Sequence, residues 1–302
     1  TMKRYGKFVL EAENGITFEV SDGTCGELII RARNIATANV FPKNNVSTNY
    51  ENPPIPKGYK HICGEWNNGY VIERRFDGSQ FVWVPVGSLD SNGTLDGKNF
   101  SEKFGRRNYT DDEFSNEPLN DELIEQVKSV KKYGGFYISR YNISMGYAER
   151  PQSVKGVMPW VNIDYYYAGL VASQIEDDEA VKSHLTFGAE YDSVLEWFIE
   201  TDAKRFIEIA EDSSRWGNFN NTCYRGKLVE TGSREEWCAN NIYDFAGNVR
   251  EWTEETNDSL RAATRGGGFN NDAVRYPVAC RIYRNPNDES PNVGFRATLY
   301  IK

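Results

Sequence analysis

The chain has 302 residues and a net charge of −9, with 14% aromatic residues, 26 glycines and only 3 methionines. That length suits one large or two modest domains with a sizeable core, and the abundance of glycine and aromatics favours a loop-rich architecture over a helical bundle. The charge excludes a general nucleic-acid binder, because neutralising phosphates takes clustered Lys and Arg, and the pairs Arg74-Arg75, Arg106-Arg107 and Lys131-Lys132 are too short to line a groove.

No apolar run approaches the roughly eighteen residues of a membrane span, so no span is expected and the chain reads as soluble. Five cysteines, Cys25, Cys63, Cys223, Cys238 and Cys280, form no Cys-x-x-Cys pair. They are expected to be mostly reduced, with a Cys223–Cys238 bridge as the less favoured arrangement.

In chain order, Phe8-Val-Leu10, Ile16 to Val20 and Leu28 to Arg33 are strand signals separated by the turn pairs Asn14-Gly15 and Asp22-Gly23. They predict a small β module that ends in an Asn- and Pro-rich linker, so residues 1–60 are set apart from a larger domain over 61–302. Within the larger domain, Tyr70 to Arg74 and the central strand Phe81-Val-Trp-Val-Pro-Val86 lead into a polar stretch, Ser88 to Glu117, which reads as an insertion loop. Leu123, Ile124, Val127 and Val130 then recur at helical spacing, predicting a helix over Asn120 to Lys132 that ends at Gly134-Gly135. A strand from Phe136 to Ile143 follows. A second helix is predicted over Asn162 to Glu176, capped by Asn162, with Ile163, Tyr166, Tyr167, Leu170 and Val171 on its apolar face. A third covers Gly188 to Glu200.

The C-terminal third is the most distinctive. Gly247-Asn248 is a turn dipeptide that precedes a short strand, Val249 to Thr253. Arg265-Gly-Gly-Gly-Phe269 marks a place where the backbone bends or passes close to another segment. From Asn270 to Pro291 neither helical nor strand periodicity is present, and a long irregular stretch of this kind inside a domain is usually functional.

Gly247-Asn-Val-Arg-Glu-Trp252, Arg265-Gly-Gly-Gly-Phe269 and Val293-Gly-Phe-Arg296, in this order, resemble the sulfatase-modifying-factor or formylglycine-generating-enzyme superfamily. The resemblance extends through Phe81 to Pro85, Phe136 to Tyr141 and Trp160 to Ile163, and so covers about residues 80 to 302. It implies an α+β, C-type-lectin-like domain. For members that convert a sulfatase cysteine to formylglycine it also implies copper on two cysteines, which would fall at Asn271 and Tyr276. Soft thiolates select Cu(I), and an amide or phenol does not replace them, so no copper is expected. With only His61 and His184, far apart, no iron is expected either. The resemblance implies calcium instead, held by backbone carbonyls of Ala246, Gly247 and Val249 and by the Glu251 carboxylate, oxygen donors of the kind calcium takes; the alternative is that Glu251 bonds neighbouring backbone amides.

A second branch of the fold, the variable proteins of diversity-generating retroelements, carries a ligand site between Gly-Gly-x-aromatic and Gly-Phe-Arg. The resemblance therefore implies a surface formed by Phe269, Asn270, Asn271, Asp272, Arg275, Tyr276, Ile282, Tyr283, Arg284, Asn285, Asn287 and Asp288, suited by its aromatic and short polar groups to a protein or glycan ligand. No bond chemistry is expected of it, and Arg265 and Arg296 read as framework. The N-terminal module would attach the protein to a phage virion or bacterial surface, or make a homo-oligomer. Two alternatives stand beside this reading: a divergent oxidase of protein cysteine using Cys280, and a structural virion or cell-surface module.

Overall fold

The computed structural model describes residues 53–86, 104–110, 112, 117, 120–257 and 259–302, together with the backbone of 16–22 and 28–34. The chain divides into two units, Thr1–Asn49 and Tyr50–Lys302. In the first, β1 (Ile16–Asp22) pairs antiparallel with β2 (Leu28–Asn34), Ile16 lying opposite Asn34 and Asp22 opposite Leu28. These are two of the three expected segments; Phe8–Leu10 lies outside the described residues.

The second unit begins with β3 (Tyr59–Cys63), β4 (Val71–Arg74), β5 (Gln80–Pro85), α1 (Asp121–Tyr133) and β6 (Gly135–Ser139). Two short ladder strands, β7 (Ser144–Met145) and β8 (Pro151–Gln152), precede α2 (Tyr165–Ser173), β9 (Val181–Leu185), α3 (Gly188–Glu200) and α4 (Phe206–Ala210). The C-terminal part supplies β10 (Cys238–Ala239), β11 (Ile242–Tyr243), β12 (Arg250–Thr256), β13 (Ala262–Arg265), β14 (Arg281–Arg284), β15 (Val293–Phe295) and β16 (Ala297–Ile301).

Two larger sheets organise these elements. The first has six strands in the order β3-β4-β5-β6-β16-β9, so β5 is interior, as its unbroken apolar run predicts. Its side chains divide between two cores. Val82 and Val84 join α1 (Leu123, Val127, Val130) and α3 (Tyr191, Val194, Leu195, Phe198) on one face, while Phe81 and Trp83 join α2 (Ala168, Val171, Ala172), Trp252 and Phe295 on the other. Alternation along a strand buried on both sides leaves no polar face, and a continuous hydrophobic run is the result. The second sheet has the order β14-β13-β12-β15, with β12 and β15 parallel.

Helix α1 forms as expected. Asn120 Oδ1 accepts from the Leu123 amide at 2.9 Å, and Gly134 takes the left-handed conformation that closes the helix (φ +78°). Helix α2 differs from expectation. Asp164 is its cap, accepting from the Tyr167 amide, while Asn162 sits at φ +55° outside the helix. Its buried side is formed by the small residues Ala168 and Ala172 with Val171, and Tyr166, Tyr167 and Leu170 are exposed. Close helix–sheet approach selects small residues, so the larger apolar groups end on the outside. The strand expected to reach Ile143 stops at Ser139, because beyond it Ser153 Oγ accepts from the Tyr141 amide and Asn142 turns inward to Glu251.

The end of the expected insertion loop is also revised. Phe104, Arg106 and Glu117 are buried. Glu117 accepts from the Ala189 amide in the first turn of α3, where a carboxylate meets the positive end of the helix. Burial nonetheless pushes its pKa up to about 8, against the lowering effect of Arg106. Another buried pair joins β9 to α3: His184 Nε2 lies 3.0 Å from Glu190 Oε1, and that carboxylate holds the imidazolium form against the cost of burial.

Candidate functional site

The Gly247-Asn248 turn uses left-handed backbone at both residues, φ +74° and +59°. A Cβ on Gly247 would lie 2.5 Å from the Asn218 backbone, so glycine is required on two counts. Asn248 does more than bond its own backbone. Its amide pairs across to Val229, donating to the carbonyl and accepting from the N–H, and also accepts from Asn218.

The triple glycine is a point of close passage. Gly266 has φ +68°, and a Cβ on Gly267 would approach Tyr276 O to 2.5 Å and Phe219 Cε1 to 2.6 Å. The segment after it is pinned at regular intervals. Asn271 Oδ1 accepts from the Gly268 amide and from Arg250 Nε, Val278 N donates to Ser213 Oγ, and Tyr191 Oη donates to Val278 O. Ala273 and Val278 to Arg281 are buried, while none of the twelve residues expected to face a ligand is: Asn270, Arg275, Asn285, Asn287 and Asp288 are exposed and the other seven half-buried. The stretch read as irregular contains the edge strand β14. Within the twelve, Asn271, Asp272 and Asn285 spend side-chain oxygens on local turns. Asn270 Oδ1 accepts from Asn292.

Beneath this surface lies a buried ion-pair network. Arg265 donates to Asp192 (2.6 Å) and Glu255 (2.8 Å), Arg281 donates to the same two carboxylates (2.6 and 2.9 Å), and Arg106 contacts Glu255 at 2.6 Å. Burial raises the cost of charging Glu255, but three guanidiniums hold its pKa well below the usual carboxylate range. Arg296 likewise joins Glu251 (2.7 Å) to the Ser139 and Tyr243 carbonyls. Arg265 and Arg296 are thus framework residues.

Asn271 and Tyr276, where the resemblance would place two copper-binding thiols, are brought together by Arg250, whose guanidinium lies 4.6 Å from the Tyr276 ring centroid. Cys280 is buried, with its thiol pushed up to about 11 by desolvation. Cys63, Cys223, Cys238 and Cys280 are unbridged. Of the expected calcium set, Glu251 commits Oε1 to Arg296 and Asn142, while Oε2 has no hydrogen-bond partner among the described residues. Arg250 was not singled out from sequence; the available signal was its strand parity with the buried Trp252.

Residues 203–300 match the sulfatase-modifying factor enzyme 1-like domain, and the fold is the formylglycine-generating-enzyme-like α+β arrangement that the motifs implied. No curated protein matches the chain. Among solved structures, PvdO from Pseudomonas aeruginosa is similar at 14% identity and a TM-score of 0.46, over 76% of this chain and 98% of its own. Treponema denticola variable protein 1 is similar at 12% and 0.45, over 82% and 100%. The Major Tropism Determinant M1 variant is similar at 11% and 0.41, over 97% and 74%. Among the described residues no helix is long and apolar enough to cross a membrane.

Proposed function

We propose that this chain, with its sulfatase-modifying factor enzyme 1-like domain at residues 203–300, is a binding protein that presents the 269–288 surface to a protein or glycan ligand and performs no bond chemistry. One observation carries the reading. Buried anchors at Ala273 and Val278 to Arg281 alternate with half-exposed or exposed aromatic and polar groups, so the outward residues can change without disturbing the frame. The oxidase alternative is less well supported, since an amide and a phenol occupy the thiol positions and Cys280 is a buried, protonated thiol.

Sequencing codons 265 to 296 across many individuals of one population tests the diversified form of this surface. Substitutions are expected at Asn270, Tyr276, Ile282 and Tyr283, with Gly266, Gly267, Val278, Gly294 and Phe295 constant. Uniform sequences would remove a diversified surface and leave a dedicated ligand. Calcium belongs to this reading as a ligand of Glu251 Oε2 and the carbonyls of Ala246, Gly247 and Val249. Its expected sign is a melting temperature that rises by a few degrees with calcium and falls with chelator; a chelator-insensitive melt argues against it.

A further inference from the structure

Five arginines are buried among the described residues: Arg106, Arg250, Arg265, Arg281 and Arg296. Four of them lie on carboxylates. Arg250 does not. Its Nε donates to Asn271 Oδ1 (3.0 Å) and its Nη1 to Gly266 O (2.7 Å), and the Tyr276 ring covers it. The Asp112 carboxylate stands one group removed: it bonds the Cys280 thiol, which in turn bonds Arg250, and its Oδ2 also accepts from the Arg281 amide and Thr110. A buried cation is costly unless a counter-charge faces it, and here the protein supplies only neutral acceptors.

The surroundings add positive charge. Trp252, Thr264 and Ile282 lie opposite one another across β12, β13 and β14, so alternation puts Arg250, Ile282 and Arg284 on the same face of the sheet. Arg284 Nε is buried and has no hydrogen-bond partner among the described residues. The Arg275 guanidinium also lies on the same tyrosine, 5.4 Å from its centroid. Neither Arg275 nor Arg284 forms an ion pair among the described residues. Two guanidiniums without an ion pair among the described residues therefore stand near the buried Arg250, Arg284 through the charge it sets against Arg250 and Arg275 through the shared tyrosine, on a chain whose net charge is −9.

We infer that Arg284 and Arg275, backed by the buried charge of Arg250, form an oxyanion-binding centre in the 269–288 surface, taking a carboxylate or phosphate group of the ligand. The planar fork of arginine suits both groups. Arg250 contributes through its field, which is weakly screened in the low-dielectric interior, while Arg284 and Arg275 make the contact.

The test follows the arginine Nε–Hε signals of nitrogen-labelled protein by NMR, at constant pH and ionic strength, as chloride is exchanged for acetate and, separately, for inorganic phosphate. Arg250 and Arg284 are expected to shift saturably with a dissociation constant of the order of millimolar, while Arg234, held on Glu236, stays fixed. Arg284→Gln, at a half-buried position, should weaken that binding about tenfold, as loss of one charge-assisted hydrogen bond predicts, without lowering the melting temperature. Saturation by acetate alone identifies a carboxylate ligand and saturation by phosphate alone a phosphate ligand. Uniform drift of all three signals, or unchanged affinity in Arg284→Gln, overturns the inference. The inference rests on the surface reading but can fail separately: variable codons with no anion response remove only this centre, and uniform codons with saturable binding remove only the diversified surface.

Discussion

Asp192→Ala is expected to destabilise the second unit by about 3–5 kcal/mol, the range seen when one partner of a buried ion pair is removed. Asp192 accepts from Arg265 and Arg281 at 2.6 Å each and from the Arg107 amide, and stands 3.5 Å from Arg106. The side chains of Arg106, Arg265 and Arg281 are fully buried in these ion pairs. Without Asp192, Arg265, Arg281 and Arg106 would be left sharing Glu255, with Glu117 near Arg106 alone, and water could not reach them without opening the core. Asp192→Asn keeps the volume and one acceptor, so it should cost less than alanine while still losing the charge. Equilibrium urea denaturation measures both. A loss below about 1 kcal/mol for alanine, the range of a surface ion pair, would show that the network holds little of the fold.

The second large effect is expected at Gly267→Ala, at about 1–3 kcal/mol from overpacking. The new methyl group would meet Tyr276 O at 2.5 Å and Phe219 Cε1 at 2.6 Å, and one of these contacts is backbone that cannot rotate away. The 270–276 segment would have to move outward, so anion binding and stability should fall together. Gly169→Ala is the contrast. It lies in α2 with only Glu254 Oε1 near, at 3.7 Å, and should stabilise by about 0.5–1 kcal/mol through helix propensity. If both substitutions cost the same, close passage is not what keeps Gly267.

Legibility in the sequence followed the range of the interactions. Helix α1 was readable because cap, spacing and terminator are all local, and α3 because its apolar spacing is. In α2 the spacing of Tyr166, Tyr167 and Leu170 mimicked a buried face, but which side packs is decided by how near the sheet comes, and that selects Ala168 and Ala172. The burial of Arg106 and Glu117 was hidden because their partners are Glu255 and Ala189, far along the chain. At the candidate site, the glycine constraints and the outward residues could be anticipated from motif order. Arg250 could not, since its significance is a missing carboxylate, and only the assembled sheet reveals that.

Strand β16 lies between β6 and β9 in the six-stranded sheet, pairing Thr298 with both Ile138 and His184. It is the last strand of the sheet to be synthesised, yet it occupies an interior position, so β9 has no place beside the earlier strands until translation has passed the 269–288 surface. Closure of the sheet therefore requires the chain beyond that surface to be made in frame. Substitutions within it leave the closing strand intact, whereas a frameshift or premature stop removes the strand that joins the sheet and yields a chain destined for proteolysis. Exposed positions of 269–288 can thus change in identity without touching β16, whereas a change of register upstream of it cannot be tolerated by the sheet.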